Sequence, residues 1–176
     1  MLLNECPGNT ESWFLARCFD ALLANGVRGI VSFADPVPRR TASGDLVMPG
    51  HVGTIYAAAN ALYTGRATAR TVKLLPDGTV FHARTAQKIR RREQGHKYAE
   101  AQLRALGAPR PRPGCDPAVW LREALAAVGA HNVRHRGAHR YVFQLGRTRR
   151  EREDIKVDVP VLRPYPKQPD PEPTVR

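Results

Sequence analysis

A chain of 176 residues is the size of one domain and long enough to bury a core without disulfide or metal staples. Hydrophobic residues at 42% and charged residues at 25% exclude a disordered chain. Three cysteines with no C-x-x-C pair exclude a disulfide framework and a thiolate zinc site. Twenty-eight Lys and Arg against 16 Asp and Glu leave a formal charge of +12, a surface that attracts polyanions such as nucleic acid. The plainer alternative is a solvated basic surface with no partner.

In chain order, residues 1–5 form a short apolar strand candidate, too short for a secretory leader. Pro7-Gly8 then turns the chain into Asn9, an N-cap residue with Glu11 in the first helical turn. Leu15, Cys18, Phe19, Leu22 and Leu23 recur at helical spacing, and Gly26 supplies the left-handed stop. Residues 27–34 are apolar enough for a buried strand that ends at Asp35-Pro36. Residues 37–50, with Pro38, Gly44, Pro49 and Gly50 and few apolar positions, predict a loop.

From Gly53 the pattern predicts a helix with Ile55, Tyr56, Ala59, Leu62 and Tyr63 on one face and Gly65 at its end. Strands over 70–75 and 79–82 are joined by the turn Pro76-Asp77-Gly78, a β-hairpin signal. Thr85 is placed to cap a helix carrying Lys88, Arg90, Arg91 and Arg92, weakened at Gly95 and stopped at Gly107. Residues 108–114 alternate Pro and Arg as a stiff connector. Asp116-Pro117 then starts a helix closed by Gly129. Residues 139–145 read as a strand and 147–154 as a charged run, and six prolines in the last 17 residues predict an extended or disordered tail from 160. The order of elements predicts an α/β fold, one domain over 1–159 with helices on the faces of a mixed sheet. No run approaches the ~20 apolar residues of a membrane helix, so no membrane partner is expected and the cytoplasm is the expected location.

Three constellations could carry chemistry. Ser32-Phe33-Ala34-Asp35-Pro36 puts a carboxylate at the carboxyl end of a strand, where ligands bind in open α/β sheets. Asp35 reads equally as a general base or as a turn-forming residue before proline. His51 precedes a segment in which Tyr56, Asn60 and Tyr63 lie at i, i+4 and i+7, so that their polar ends share a stripe. They suit a cleft with acid–base and base-gripping groups, or a core with satisfied hydroxyls. Residues 134–141 pair cations with an aromatic, Arg136, His139, Arg140 and Tyr141 among them, in a phosphate-contact and stacking pattern. A solvated strand edge is the alternative. His131, His135 and His139 are four apart, but Gly137 and the β pattern argue against a helical metal face. Lys88 and Arg91, with Arg66, extend the basic set. The helix start at Asn9, Thr10 and Ser12 offers amides to a phosphate.

Read together, these segments resemble the Mom family of phage DNA-modification proteins, distant members of the GNAT acyltransferase superfamily. The likeness covers most of the chain. It rests on residues 6–12 (Cys6-Pro7-Gly8-Asn9-Thr10-Glu11-Ser12), 31–36 (Val31-Ser32-Phe33-Ala34-Asp35-Pro36), 50–60 from Gly50-His51-Val52-Gly53 to Asn60, His139-Arg140-Tyr141 and Tyr165-Pro166-Lys167. The resemblance implies a GNAT-like fold acting on double-stranded DNA. It implies transfer of a carbamoylmethyl-type group to the exocyclic amine of adenine, hiding phage DNA from restriction enzymes. Asp35, Tyr56, Asn60, Ser32 and His51 are the expected catalytic set, and Asn9, Thr10 and Ser12 the expected cofactor contacts. Acyl-CoA is the cofactor that the superfamily implies, but its R/Q-x-x-G-x-G/A loop is replaced here by residues 7–12. Family members carry several strands before the one that residues 1–5 match, so the sequence is expected to lack part of that region, leaving an incomplete version of the fold. The competing functions are an acyl-CoA-dependent N-acyltransferase acting on a small amine or a protein, and a non-catalytic DNA-binding protein.

Overall fold

The computed structural model describes residues 6–172, so the strand expected at residues 1–5 lies outside the described residues. In chain order the elements are α1 (Thr10–Ala24), β1 (Gly29–Ala34), β2 (Arg39–Arg40), β3 (Leu46–Met48), α2 (Thr54–Ala58), β4 (Leu62–Arg66) and β5 (Arg70–Leu74). They continue with β6 (Val80–Phe81), α3 (Ala83–Arg91), α4 (His96–Ala105), α5 (Pro117–Ala127), β7 (His131–His135), β8 (His139–Gln144) and α6 (Arg149–Glu153). The α/β class is the expected one. In place of one mixed sheet, the described strands pair in three antiparallel sheets, ordered β1-β8-β4, β2-β3 and β6-β5-β7.

The chain divides into two compact units. The first takes residues 1–36, 51–68 and 136–169. Its central strand, β8, alternates strictly: His139, Tyr141 and Phe143 are buried, while Arg140, Val142 and Gln144 are half-buried. Tyr141 lies opposite Ser32 of β1 and Tyr63 of β4. Buried Ala34, Ala61, Tyr141, Phe143 and Leu145 form the core, with Phe19 and Leu23 of α1 packed against it. Of the face expected for α1, only these two residues reach that cluster. No α1 residue is fully buried, and Trp13 and Phe14 stay more than half exposed. Gly26, at φ 81°, ends the helix as expected, with the Gly26 and Val27 amides bonded to the carbonyls of Leu23 and Leu22.

Two expectations in the middle of the chain are corrected. The helix predicted from Gly53 to Tyr63 stops at Ala58, because Asn60 adopts left-handed φ 62°. Leu62, Tyr63 and Thr64 then favour a strand and pair with β8 instead. Tyr56, Asn60 and Tyr63 therefore do not share a helical stripe. The loop predicted over 37–50 contains the hairpin β2-β3, closed by the Thr41 amide on the Asp45 carbonyl at 2.9 Å. Beyond residue 160 no helix or strand forms among the described residues. Even so, the Leu162 amide reaches the Tyr63 carbonyl (2.8 Å) and the Tyr165 hydroxyl donates to the Ala61 carbonyl (2.9 Å).

The second unit takes residues 37–50, 69–135 and 170–176. The predicted hairpin β5-β6 is present, its turn held by the Thr79 amide on the Asp77 carboxylate at 2.9 Å, and β7 joins β5 from the other side. Helices α3, α4 and α5 bury Ile89, Leu103, Trp120, Leu121 and Ala124 in one cluster. Helix α3 begins earlier than the Thr85 cap predicts, with His82 at the N-cap and no side-chain cap bond. Left-handed Arg92 and Gly95 separate it from α4. Asp116 caps α5, accepting from the amides of Ala118 (2.7 Å) and Val119 (3.2 Å). Asp116→Ala is expected to cost about 1 kcal/mol, the usual penalty for losing a helix N-cap, read as a lowered denaturation midpoint with an unchanged slope.

Candidate active site

Most of the predicted catalytic residues meet in the first unit around one phenol. Tyr141 has no exposed surface, and its hydroxyl donates to the Val52 carbonyl, tying the middle of β8 to the entry of α2. Gly53 follows at φ 85°, and a Cβ placed there would fall 2.6 Å from the Tyr141 Cζ. Only glycine fits both that backbone and that ring. The rings of Tyr56 and Tyr63 each lie 5.4 Å from Tyr141, centroid to centroid, and Tyr56 stands edge-on to His51 at 5.3 Å. The Tyr63 hydroxyl and His139 Nδ1 share a hydrogen bond of 3.0 Å.

His51 is held by its neighbours. Its amide donates to the Asp35 main-chain carbonyl at 2.6 Å, joining the end of β1 to the start of this segment. The Gly53 amide makes a long 3.4 Å contact with His51 Nδ1. An accepting Nδ1 keeps the proton of the neutral ring on Nε2, so His51 presents a donor. Ser32 is half-buried opposite Tyr141 in the β1-β8 register. Asp35, His51 and Tyr56 thus come together, with Ser32 alongside.

Asn60 is placed apart from that group, in a cleft of about 610 Å³ at the carboxyl end of β8. Phe19, Leu23 and Phe143 give it apolar walls, and Gln144, Arg149, Arg152, Asp20 and Glu153 give it polar ones. Tyr56 links the two regions, since its ring lies edge-on to Phe143 at 5.9 Å. Sequence reasoning read the charged run over 147–154 only as charge. Here it folds as α6, with Thr148 accepting from the Glu151 amide and Glu151 accepting from the Arg147 amide. That S/T-x-x-E spacing, Thr148 to Glu151, was the available signal.

The expected nucleic-acid contacts divide by burial. Tyr141 and His139 lie in the interior and meet no solvent-side ligand, because β8 is the middle strand and its odd-numbered residues face the core. Arg140 is bound along β4, donating from Nε to Thr64 Oγ1 (2.9 Å) and from Nη2 to the Thr64 carbonyl (3.0 Å). Arg66 donates to the Gly137 carbonyl at 3.2 Å, and Arg136 is exposed. In the second unit Lys88 is half-buried and Arg91 exposed on α3.

At the start of α1, Asn9 stands at the N-cap without a side-chain bond, and Ser12 is exposed. The Thr10 amide and hydroxyl both go to the Pro7 carbonyl, at 2.9 and 2.7 Å, and Glu11 adds a carboxylate. Two donors are committed within the turn and an anion sits beside it, which does not fit the pyrophosphate of coenzyme A.

A basic α/β protein with a buried phenol cluster beside an arginine-rimmed cleft is the class of molecule defined here. The Mom protein family model matches residues 1–167, and the chain belongs to that family. It is accordingly a phage DNA-modification protein in general terms. No curated protein and no solved structure matches it.

Burial pushes the Tyr141 phenol up from its ordinary 10.0 to about 12, with Tyr63, Tyr165 and Tyr56 adding to the shift. The protonated phenol is thus the folded form. Its contribution to stability is complete below pH 10 and is lost as pH rises from about 10 to about 12. Ultraviolet titration of the folded protein should show one of its five tyrosines ionising last, and Tyr141→Phe should remove that step. The same substitution leaves the Val52 carbonyl without its donor and should destabilise the fold by about 1–3 kcal/mol.

Proposed function

We propose that the chain is a transferase that attaches a small carbamoylmethyl-type group to the exocyclic amine of adenine in double-stranded DNA. Membership of the Mom family carries this reading, and the +12 charge supports it, since phosphate contacts precede any chemistry on a base. A GNAT-like fold is part of the same reading.

The chemistry needs three things from the protein. The amine nitrogen forms a bond to the methylene carbon of a donor, the donor's leaving group departs with its bonding electrons, and the amine gives up a proton. Tyr56, with its hydroxyl on a half-buried side chain between His51 and the cleft, is the proposed proton-handling group. His51, with Nε2–H as donor, is proposed to steady negative charge on the leaving group or on the carbamoyl oxygen. Asp35 acts as a positioning residue through its main-chain bond to His51. Tyr141 keeps its proton and serves the site by holding the Val52–Gly53 segment.

Mass spectrometry of nucleosides from the DNA of cells expressing the protein tests this. A modified deoxyadenosine is expected, and unmodified adenine alone with soluble protein present would refute the reading. Tyr56→Phe should lower the modified fraction by about 100-fold or more, the usual scale of a lost acid–base group. DNA affinity and its salt dependence should stay unchanged, because the phosphate contacts remain. A parallel loss of binding would make Tyr56 a binding residue instead.

A further inference from the structure

The cleft at the carboxyl end of β8 is built, not merely left over. Gly146 lets α6 fold back against β8: a Cβ there would stand 2.8 Å from the Glu151 Cβ and 2.9 Å from the Arg152 amide nitrogen. The returned helix is fastened by Arg152 Nη1 donating to the Gly146 carbonyl at 3.0 Å, which fixes one guanidinium at the rim and leaves its other nitrogens to a ligand. Phe19 and Phe143, their centroids 4.8 Å apart and their planes tilted by 55°, give the cleft an aromatic wall. Asn60 sits on another wall in the left-handed conformation that glycine adopts more easily, at φ 62°. That conformation ends α2, with the Asn60 and Ala61 amides bonded to the carbonyls of Ala57 and Tyr56, and it sets an exposed residue bearing an amide on the cleft wall.

A volume of about 610 Å³ accommodates a nucleotide and lies within the usual range of ligand sites. An amide pairs with the adenine edge, Oδ1 accepting from N6–H and Nδ2 donating to N7, whereas guanine sets its O6 acceptor against Oδ1. Accepting from N6–H also draws electron density onto the nitrogen that must attack. Arg149 bridges Glu153 at 2.7 Å in an i,i+4 pair whose side chains are largely exposed, so a phosphate can replace that partner at little cost. Asp20 and Glu153 on the rim disfavour a second phosphate, which suits one extruded nucleotide better than the track of a strand.

We propose that this cleft receives the adenine extruded from the duplex, with Asn60 reading its N6–N7 edge, Phe19 and Phe143 against its ring, and Arg152 and Arg149 at its phosphate. The proposal rests on the adenine-transferase reading and assigns that site its base pocket and its selectivity.

Two binding measurements on the full chain test it. The first titrates adenosine and guanosine 5′-monophosphate by calorimetry. Adenosine monophosphate should saturate, with guanosine monophosphate at least ~10-fold weaker, the discrimination of one bidentate amide contact. Asn60→Gly removes the amide while relieving the left-handed backbone, so its melting temperature should hold or rise as that preference disappears. Absence of saturation up to about 5 mM, a Kd weaker than about −3 kcal/mol of binding, would overturn the pocket. An unchanged preference in Asn60→Gly would overturn the role of Asn60.

The second measurement uses a duplex with a mismatched adenine, where extrusion costs least, and 2-aminopurine as its stacked neighbour, which brightens when the adenine leaves the stack. Fluorescence should rise on binding and fall back when adenosine monophosphate competes. Mononucleotide binding without that response would assign the cleft to a free nucleotide and overturn extrusion. Because neither experiment reads modification, an empty cleft in a protein that still modifies adenine would sink this pocket and leave the transferase standing.

Discussion

The hydroxyl of Tyr141 on the carbonyl of Val52 is the bond around which the first unit is organised. A phenol with no exposed surface would be costly without a partner, and its partner lies on the turn that positions His51 and starts α2. Position 53 must then be glycine on two counts, its left-handed φ and the ring occupying the space of a Cβ. Burial first, and the three phenols around it second, keep Tyr141 neutral far above physiological pH. The interior of the cluster therefore does no proton transfer at neutral pH. In the proposed reaction that work falls to the groups at its edge, His51 and Tyr56.

The edge has two sides because β8 carries both. At its start, His139 pairs with Tyr63 and lies in register with Ala34, just before Asp35. At its end, Phe143 faces Phe19, and Gly146 returns the chain as α6. Tyr56 touches the middle and the far end of this run, through Tyr141 and through Phe143. A substituent carried from a donor near His51 to a base near Asn60 would have to pass this tyrosine. In the proposed reaction the packing of one core strand would set the distance over which transfer takes place.

What could be read in the sequence was written in local signals. Gly26 as a helix stop, Asp77-Gly78 as a turn, Gly95 as a break and Asp116-Pro117 as a capped start each act within four residues, and each is present. The misreadings came from long-range pairing. Leu62 and Tyr63 fit a helical period from Val52, but their pairing with β8 wins, because a central strand must satisfy both of its edges. The hairpin at 39–48 lies in a segment rich in turn residues, and it has the Ala42 amide on the Pro76 carbonyl to support it. Tyr141 and His139 read as a cationic, aromatic surface because Arg140 stands between them. Strand alternation sends the arginine to one face and the rings to the other. Asp35, His51 and Tyr56 were legible as a group, whereas the cleft at Asn60 was not, because α6 looks in the sequence like an unstructured run of charge.

That last point bears on how a basic protein discriminates among its uses of charge. Arginines on a free, solvated segment give salt-dependent attraction and little else, since every ordered contact would cost side-chain entropy. The arginines of α6 are ordered before any ligand arrives: Thr148 and Glu151 cap the helix, Gly146 seats it, and Arg152 is bonded to the chain it rises from. Attraction spread over a +12 chain recruits a polyanion anywhere along its length. A guanidinium already held at the rim of an aromatic cleft offsets part of the cost of bringing one nucleotide out of the stack. On the proposed reading the same residue type serves recruitment on α3 and placement on α6, and the difference lies in capping and in one glycine.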